Sequence, residues 1–164
     1  MKHIQSPNSR STLTNVQQKD IQPNAVDLRI GKLFEVDGHS EFVISEDSKQ
    51  HRKTYEMQPD ADGWFTLRPG HYEVVMENTI NVGKDEAGFV ITRSTLNRNG
   101  LFLTSGLYDT GYNGVMAGML HVNIGQAKIK KGTRIGQYLN FDAESIKIYD
   151  GSYGLDKEHD KKYG

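Results

Sequence analysis

Residues 88–137 read GFVITRSTLNRNGLFLTSGLYDTGYNGVMAGMLHVNIGQAKIKKGTRIGQ. Short runs rich in Val, Ile, Leu, Phe and Thr alternate here with glycines: Gly88–Thr92, Leu101–Thr104, Val115–Asn123, Lys128–Lys130, and Thr133–Phe141, which runs just past the stretch. Branched and aromatic side chains fill the half-buried surface of a pleated strand, while glycine supplies the backbone freedom of a turn. Within Ala127–Lys131 the alternation has period two, so Lys128 and Lys130 face away from Ile129. Helical periodicity is confined to Arg93–Arg98, and Gly100 ends it after a turn or two.

The pattern continues outward into Asp27–Phe34, Glu41–Ser45, Gly63–Leu67 and Tyr72–Met76. Short strands at regular spacing, with 17 glycines among 164 residues, predict an all-β sandwich or barrel. Arg68-Pro69-Gly70 and Lys131-Gly132 read as hairpin turns. Residues 149–164 hold Gly, Asp, Lys and Tyr with scarcely an aliphatic side chain, the composition of a tail. The expected organisation is one β domain over residues 1–148, followed by a tail over 149–164 that closes over an active site.

Twenty basic and 21 acidic residues leave a net charge of −1. Such a balance gives no global field for a nucleic-acid backbone or an anionic membrane, although local basic groups can still hold a small anion. Cysteine is absent, which excludes disulfides, thiolate zinc sites and cysteine nucleophiles. The N-terminal twenty or so residues are polar and lack the apolar core of a signal peptide, and no run approaches the roughly 20 apolar residues of a membrane span. A soluble, cytoplasmic protein is expected. No phosphate loop, dinucleotide fingerprint or nucleophile elbow occurs, and the six histidines never fall at metal-ligand spacing.

Three features of the opening stretch bear chemistry. A strand runs into Arg93-Ser94-Thr95, where a short helical turn would show unpaired amides beside a guanidinium, an arrangement suited to phosphate. Gly106-Leu107-Tyr108-Asp109-Thr110-Gly111-Tyr112-Asn113-Gly114 sets a carboxylate and an aromatic ring three residues apart, where glycines let backbone approach a ligand. Gly132-Thr133-Arg134-Ile135-Gly136-Gln137 is a turn entering a strand and ending in an amide. Taken singly, Asp109 reads as a turn-former and Arg93 as a surface charge.

In this order and spacing the segments resemble the dUTPase/dCTP-deaminase superfamily. Ile21–Gly31, with its Asp27-Leu28 pair, is similar to the first motif, Arg93-Ser94-Thr95-Leu96 to the second, Asp109-x-Gly111-Tyr112-x-Gly114 to the third and Gly132–Gln137 to the fourth. Leu67–Gly70 resembles the hairpin that precedes a strand of the family. The resemblance implies a distorted jelly-roll or β-barrel of the dUTPase-like fold, assembled as a homotrimer with sites at subunit junctions. It implies that Asp109 directs the attacking water and that Tyr112 packs on the deoxyribose. Thr104, Ser105, Gly106 and Leu107 would read the pyrimidine, while Arg93, Ser94, Thr95, Arg98 and Gln137 would bind substrate, the phosphates above all. Magnesium would be carried mainly by the triphosphate, with no direct protein ligand and at most an indirect role for Asp27.

Two reactions belong to that superfamily. Deamination of the cytosine ring needs a proton shuttle, a glutamate in the family, and its position here falls on Met119, which transfers no proton; His121 lies two residues away. Arg98 and the Tyr149–Gly154 segment nonetheless lean toward the deaminase branch, and the fifth dUTPase motif is missing. The expected activity is therefore hydrolysis of dUTP to dUMP and pyrophosphate. The alternatives are pyrophosphate release from dCTP or a modified pyrimidine triphosphate, dCTP deamination, or a non-catalytic regulator on the same fold.

Overall fold

A computed structural model describes residues 1–164. The glycine-punctuated runs become strands in chain order: β1 (Thr12–Leu13), β2 (Val26–Val36), β3 (Val43–Ile44), β4 (Lys49–Gln50), β5 (Thr54–Met57), β6 (Trp64–Leu67) and β7 (Gly70–Asn81). They continue as β8 (Glu86–Thr92), β9 (Leu101–Thr104), β10 (Asn113–Val122), β11 (Ala127–Lys130) and β12 (Arg134–Asp142). The only α-helix, α1, is the single turn Ser94–Asn97, and 3-10 turns occupy Gln18–Asp20 and Glu158–Tyr163. No helix is long and apolar enough to cross a membrane.

The principal sheet runs β8-β12-β2-β7-β10-β9, with β1 added on β7 and β5 on β2. Its inner face carries Val26, Leu28, Ile30, Leu33, Val74, Met116, Leu120, Ile135 and Tyr138, all buried in one cluster. Three register shifts curve the sheet, between Ile30 and Lys32, between Val115 and Ala117, and between Arg134 and Gly136. Gly31 sits in the first, where a Cβ would come 3.1 Å from both the Glu77 amide and the Val75 carbonyl.

The two ends of the sheet, β8 and β9, meet without a backbone ladder. Hydroxyls do the fastening: Leu103 N donates to Thr92 Oγ1 at 2.8 Å and Val90 N to Ser105 Oγ at 3.0 Å. Beyond them a two-way bridge joins Gly88 and Tyr108, with N–O distances of 3.0 and 2.7 Å. The result is a nearly closed, barrel-like all-β fold, as the strand pattern predicts.

Arg68-Pro69 and Lys131-Gly132 are not hairpin turns. β6 pairs with β11 in a separate two-stranded sheet, while β7 and β12 belong to the principal one. Both turns are corners at which the chain changes sheets. A turn dipeptide marks a change of direction but does not name the strand's partner.

The N-terminal arm is tied to the barrel by Glu86, whose carboxylate is fully buried. It accepts from the amides of Arg10 and Ser11 at 3.0 Å, from Ser11 Oγ at 2.6 Å, and from Asn140 Nδ2 and Lys2 Nζ at 3.1 Å. Burial alone raises such a carboxyl, but these donors more than offset it and hold the group at about 2.

Candidate active site

Asp27 organises one group of the expected residues. It lies in the middle of the sheet on β2, fully buried, with β12 alongside, so Gln137 is its register partner. Its carboxylate accepts from Gln137 Nε2 at 3.0 Å, from Arg134 Nη1 and Gln22 Nε2 at 3.2 Å, and faces Arg93 Nε at 3.3 Å. Arg93 also donates to the Arg134 carbonyl at 3.2 Å. Both guanidiniums are half-buried and share one carboxylate, so two positive charges meet a single negative one. A second buried carboxylate, Asp20, is taken up by Arg29 at 2.5 and 3.1 Å, so that arginine is structural.

Ser94, Thr95 and Arg98 extend this group along α1, all exposed and without side-chain partners in the chain. As the first residues of a helical turn, Ser94 and Thr95 carry amides that no preceding carbonyl can satisfy. Arg134 is a member that sequence reasoning passed over. Its signal was its place inside the Gly132–Gln137 segment, but a strand arginine beside a turn looks like an ordinary surface charge until its carboxylate partner is known.

A second group lies on the loop between β9 and β10 and around a cavity of about 960 Å³. Gly106, Leu107, Tyr108, Tyr112, Gly118 and Met119 line it on the barrel side. Ser105 is engaged at the β8–β9 seam, and Thr104 Oγ1 hydrogen-bonds His121 Nε2 at 2.9 Å. Tyr112 is buried: its hydroxyl donates to the Val115 carbonyl at 2.7 Å, and its ring packs against Tyr108 at 5.4 Å and Tyr149 at 5.3 Å. Burial first, then the Asp160 charge, pushes its phenol up. Asp109 is exposed at the turn, which the Tyr112 amide closes on the Asp109 carbonyl at 3.0 Å. No group of the chain hydrogen-bonds or ion-pairs with its carboxylate.

Residues 149–164 form the far wall of the cavity. Tyr149 N donates to the Thr110 carbonyl at 2.8 Å and Leu155 N to the Asn113 carbonyl at 3.0 Å, laying the segment along the loop. Tyr163 is buried edge-on against Phe34 at 5.8 Å, and its hydroxyl donates to Glu73. Lys162 reaches the other Glu73 oxygen at 3.0 Å. Glu73 is the cross-strand partner of Met119 and lines the same cavity, a carboxylate that sequence reasoning missed because β7 carries no motif there.

No group of three or more His, Asp or Glu converges to hold a metal. Asp27 has its oxygens filled by four donors, and Asp109 is the one free carboxylate on the motif segments.

Comparison with known proteins agrees with this architecture. The dCTP deaminase-like family pattern matches residues 2–142. A probable deoxyuridine 5'-triphosphate nucleotidohydrolase of Halobacterium salinarum is 32% identical over 143 residues, covering 84% of this chain and 85% of that protein. Among solved structures, a 2'-deoxycytidine 5'-triphosphate deaminase from Agrobacterium tumefaciens superposes with a TM-score of 0.61 at 15% identity, over 80% of this chain and 43% of that one. A point mutant of the dUTPase from Staphylococcus aureus phage phi11, solved with a coordinated structural Mg(II) ion, gives 0.53 at 10% identity, over 87% and 97%.

Proposed function

Because the chain belongs to the dCTP deaminase-like family, we propose that it hydrolyses dUTP to dUMP and pyrophosphate. The observation that carries this reading is Asp109: an exposed carboxylate, free of intrachain partners, on a loop whose neighbouring residues line a cavity of nucleotide size. In the reaction, the Asp109 carboxylate accepts a proton from water as the water oxygen attacks the α-phosphorus and the bond to the departing pyrophosphate breaks. Arg93, Arg134, Gln137 and the Ser94 and Thr95 amides hold the phosphate oxygens. Gly106 and Leu107 offer backbone to the pyrimidine edge, with Thr104 and Ser105 bracing that loop. Tyr112, fixed by its bond to Val115, gives the sugar a rigid wall. Magnesium, carried by the triphosphate, would supply charge neutralisation along the phosphates.

None of the arginine group lines the cavity beside the Asp109 loop, so the working site is proposed to form between chains of a homotrimer. A surface suited to that contact adjoins Gln137: Phe89 and Ile91 on β8 are 37% and 38% exposed, and Phe89 stacks on Phe141 at 5.7 Å. Residues 149–164 would then close over a bound nucleotide, as the wall they build beside Tyr112 suggests.

One observation favours a second reading, deamination of dCTP. Glu73 faces the cavity directly across from Met119, one strand from where the family's glutamate would stand. Its engagement by Lys162 and Tyr163 argues for a structural role instead. Incubation with magnesium and each deoxynucleoside triphosphate, followed by chromatography, separates the readings. dUMP and pyrophosphate from dUTP support hydrolysis; dUTP from dCTP, lost in Glu73→Gln, would replace it with deamination.

A further inference from the structure

Strands β7 and β10 place two histidines in register. His71 and His121 are direct partners, and their Nδ1 atoms lie 2.8 Å apart with ring centroids at 4.9 Å. His121 is held on both remaining sides. Phe102 stacks on its ring at 4.6 Å and 24°, and its Nε2 meets Thr104 Oγ1 at 2.9 Å. His71 is exposed, so solvent reaches the pair.

We propose that His71 and His121 form a two-imidazole chelate for a late first-row divalent cation such as Ni²⁺ or Cu²⁺. With the Thr104 hydroxyl accepting from Nε2–H, His121 turns the lone pair of Nδ1 toward His71. In the metal-free chain His71 Nδ1–H donates into that lone pair. An arriving cation displaces this hydrogen bond: the exposed His71 ring turns so that its Nδ1 lone pair and that of His121 converge on the metal, while the Nδ1 proton of His71 moves through solvent to its Nε2 and the net charge of the protein is unchanged. A fixed ring and a committed outer nitrogen are what an imidazole ligand requires. Burial, and then the neighbouring imidazole, lower His121 from its ordinary value, which favours the uncharged ring needed for ligation.

Imidazole donors favour the late first-row ions, and nitrogens that stay close to their present 2.8 Å separation at bonds of about 2.0–2.1 Å subtend roughly 90°, the cis angle of square-planar or octahedral coordination. Water would fill the other positions on this open face. Magnesium, which prefers oxygen ligands, is not a competitor, so the site is separate from any ion carried by a nucleotide.

The test titrates Ni²⁺ into the full chain by calorimetry. A His3→Gln, His51→Gln background removes the N-terminal imidazole and the one stacked on His159 at 4.3 Å. One ion per chain in the micromolar range is expected, with at least ten-fold weaker binding in His71→Gln and in His121→Gln. Cu²⁺ spectra of the same background should show two equatorial imidazole nitrogens, falling to one in His71→Gln, whose exposed position leaves the fold undisturbed. No stoichiometric binding, affinity unchanged in both variants, or a single imidazole in the parent spectrum would each overturn the proposal.

Discussion

Arg93 Nε stands 3.3 Å from the Asp27 carboxylate, and that carboxylate is completely shielded from solvent. The arginine is therefore anchored from beneath, as the proposed phosphate contact requires. Asp27→Asn keeps the shape but removes the charge. Hydrogen bonds to charged groups contribute about 1.5–3 kcal/mol, so KM for dUTP should rise roughly ten-fold or more, with kcat less affected. Steady-state kinetics checks this; an unchanged KM would mean Arg93 does not bind substrate.

Asp109→Asn should lower kcat by about 10²–10⁴-fold, the usual contribution of a positioned base, while nucleotide binding persists. Calorimetry with a non-hydrolysable analogue measures the second half of that expectation. Retained turnover would move the catalytic water elsewhere.

Arg93→Ala and Asp109→Asn chains, each inactive alone, should restore activity when unfolded together and refolded as a mixture. If a site takes Arg93 from one chain and Asp109 from its neighbour, random assembly yields about a quarter of the sites intact. No recovery, with trimers present by light scattering, would place both residues in one chain's site.

The Thr92 and Ser105 hydroxyls close the barrel between β8 and β9. Thr92→Val leaves the Leu103 amide without an acceptor, and Ser105→Ala does the same to Val90. Each should cost about 1–3 kcal/mol in urea unfolding, with little change in the slope against denaturant.

Glu86 sets an acid limit. Its folded value of about 2 lies below the ordinary 4.5, so its contribution is full above 4.5 and is lost as pH falls from there toward 2. Unfolding followed between pH 6 and 2 should show wild type losing stability across that window. Glu86→Gln should start less stable at pH 7 and lose less on acidification.

Much of the barrel is legible in the sequence because the runs that become β2, β7, β8, β9, β10 and β12 carry branched and aromatic residues between glycines. β1 and β4 have two residues each, too few to show a period, β3 keeps only Val43–Ile44 of the predicted run Glu41–Ser45, and β5 is marked only by its pairing with β2. Partnership across the sheet is a global property, which is why the corners at Pro69 and Gly132 read as hairpins. At the candidate site, Asp109 and Arg93 are visible through motif spacing. Arg134 is meaningful only through its shared carboxylate, and Glu73 only through its register with Met119. Residues 149–164 read as a tail by composition, yet Tyr163 is buried against Phe34, since one aromatic ring can seat a segment that has no hydrophobic pattern.

Tyr163 and Lys162 both grip Glu73 inside the cavity that a pyrimidine would enter. Two neighbouring side chains thus hang the end of the chain on a single carboxylate of β7, and the shape offered to a nucleotide under the proposed function depends on that one anchor.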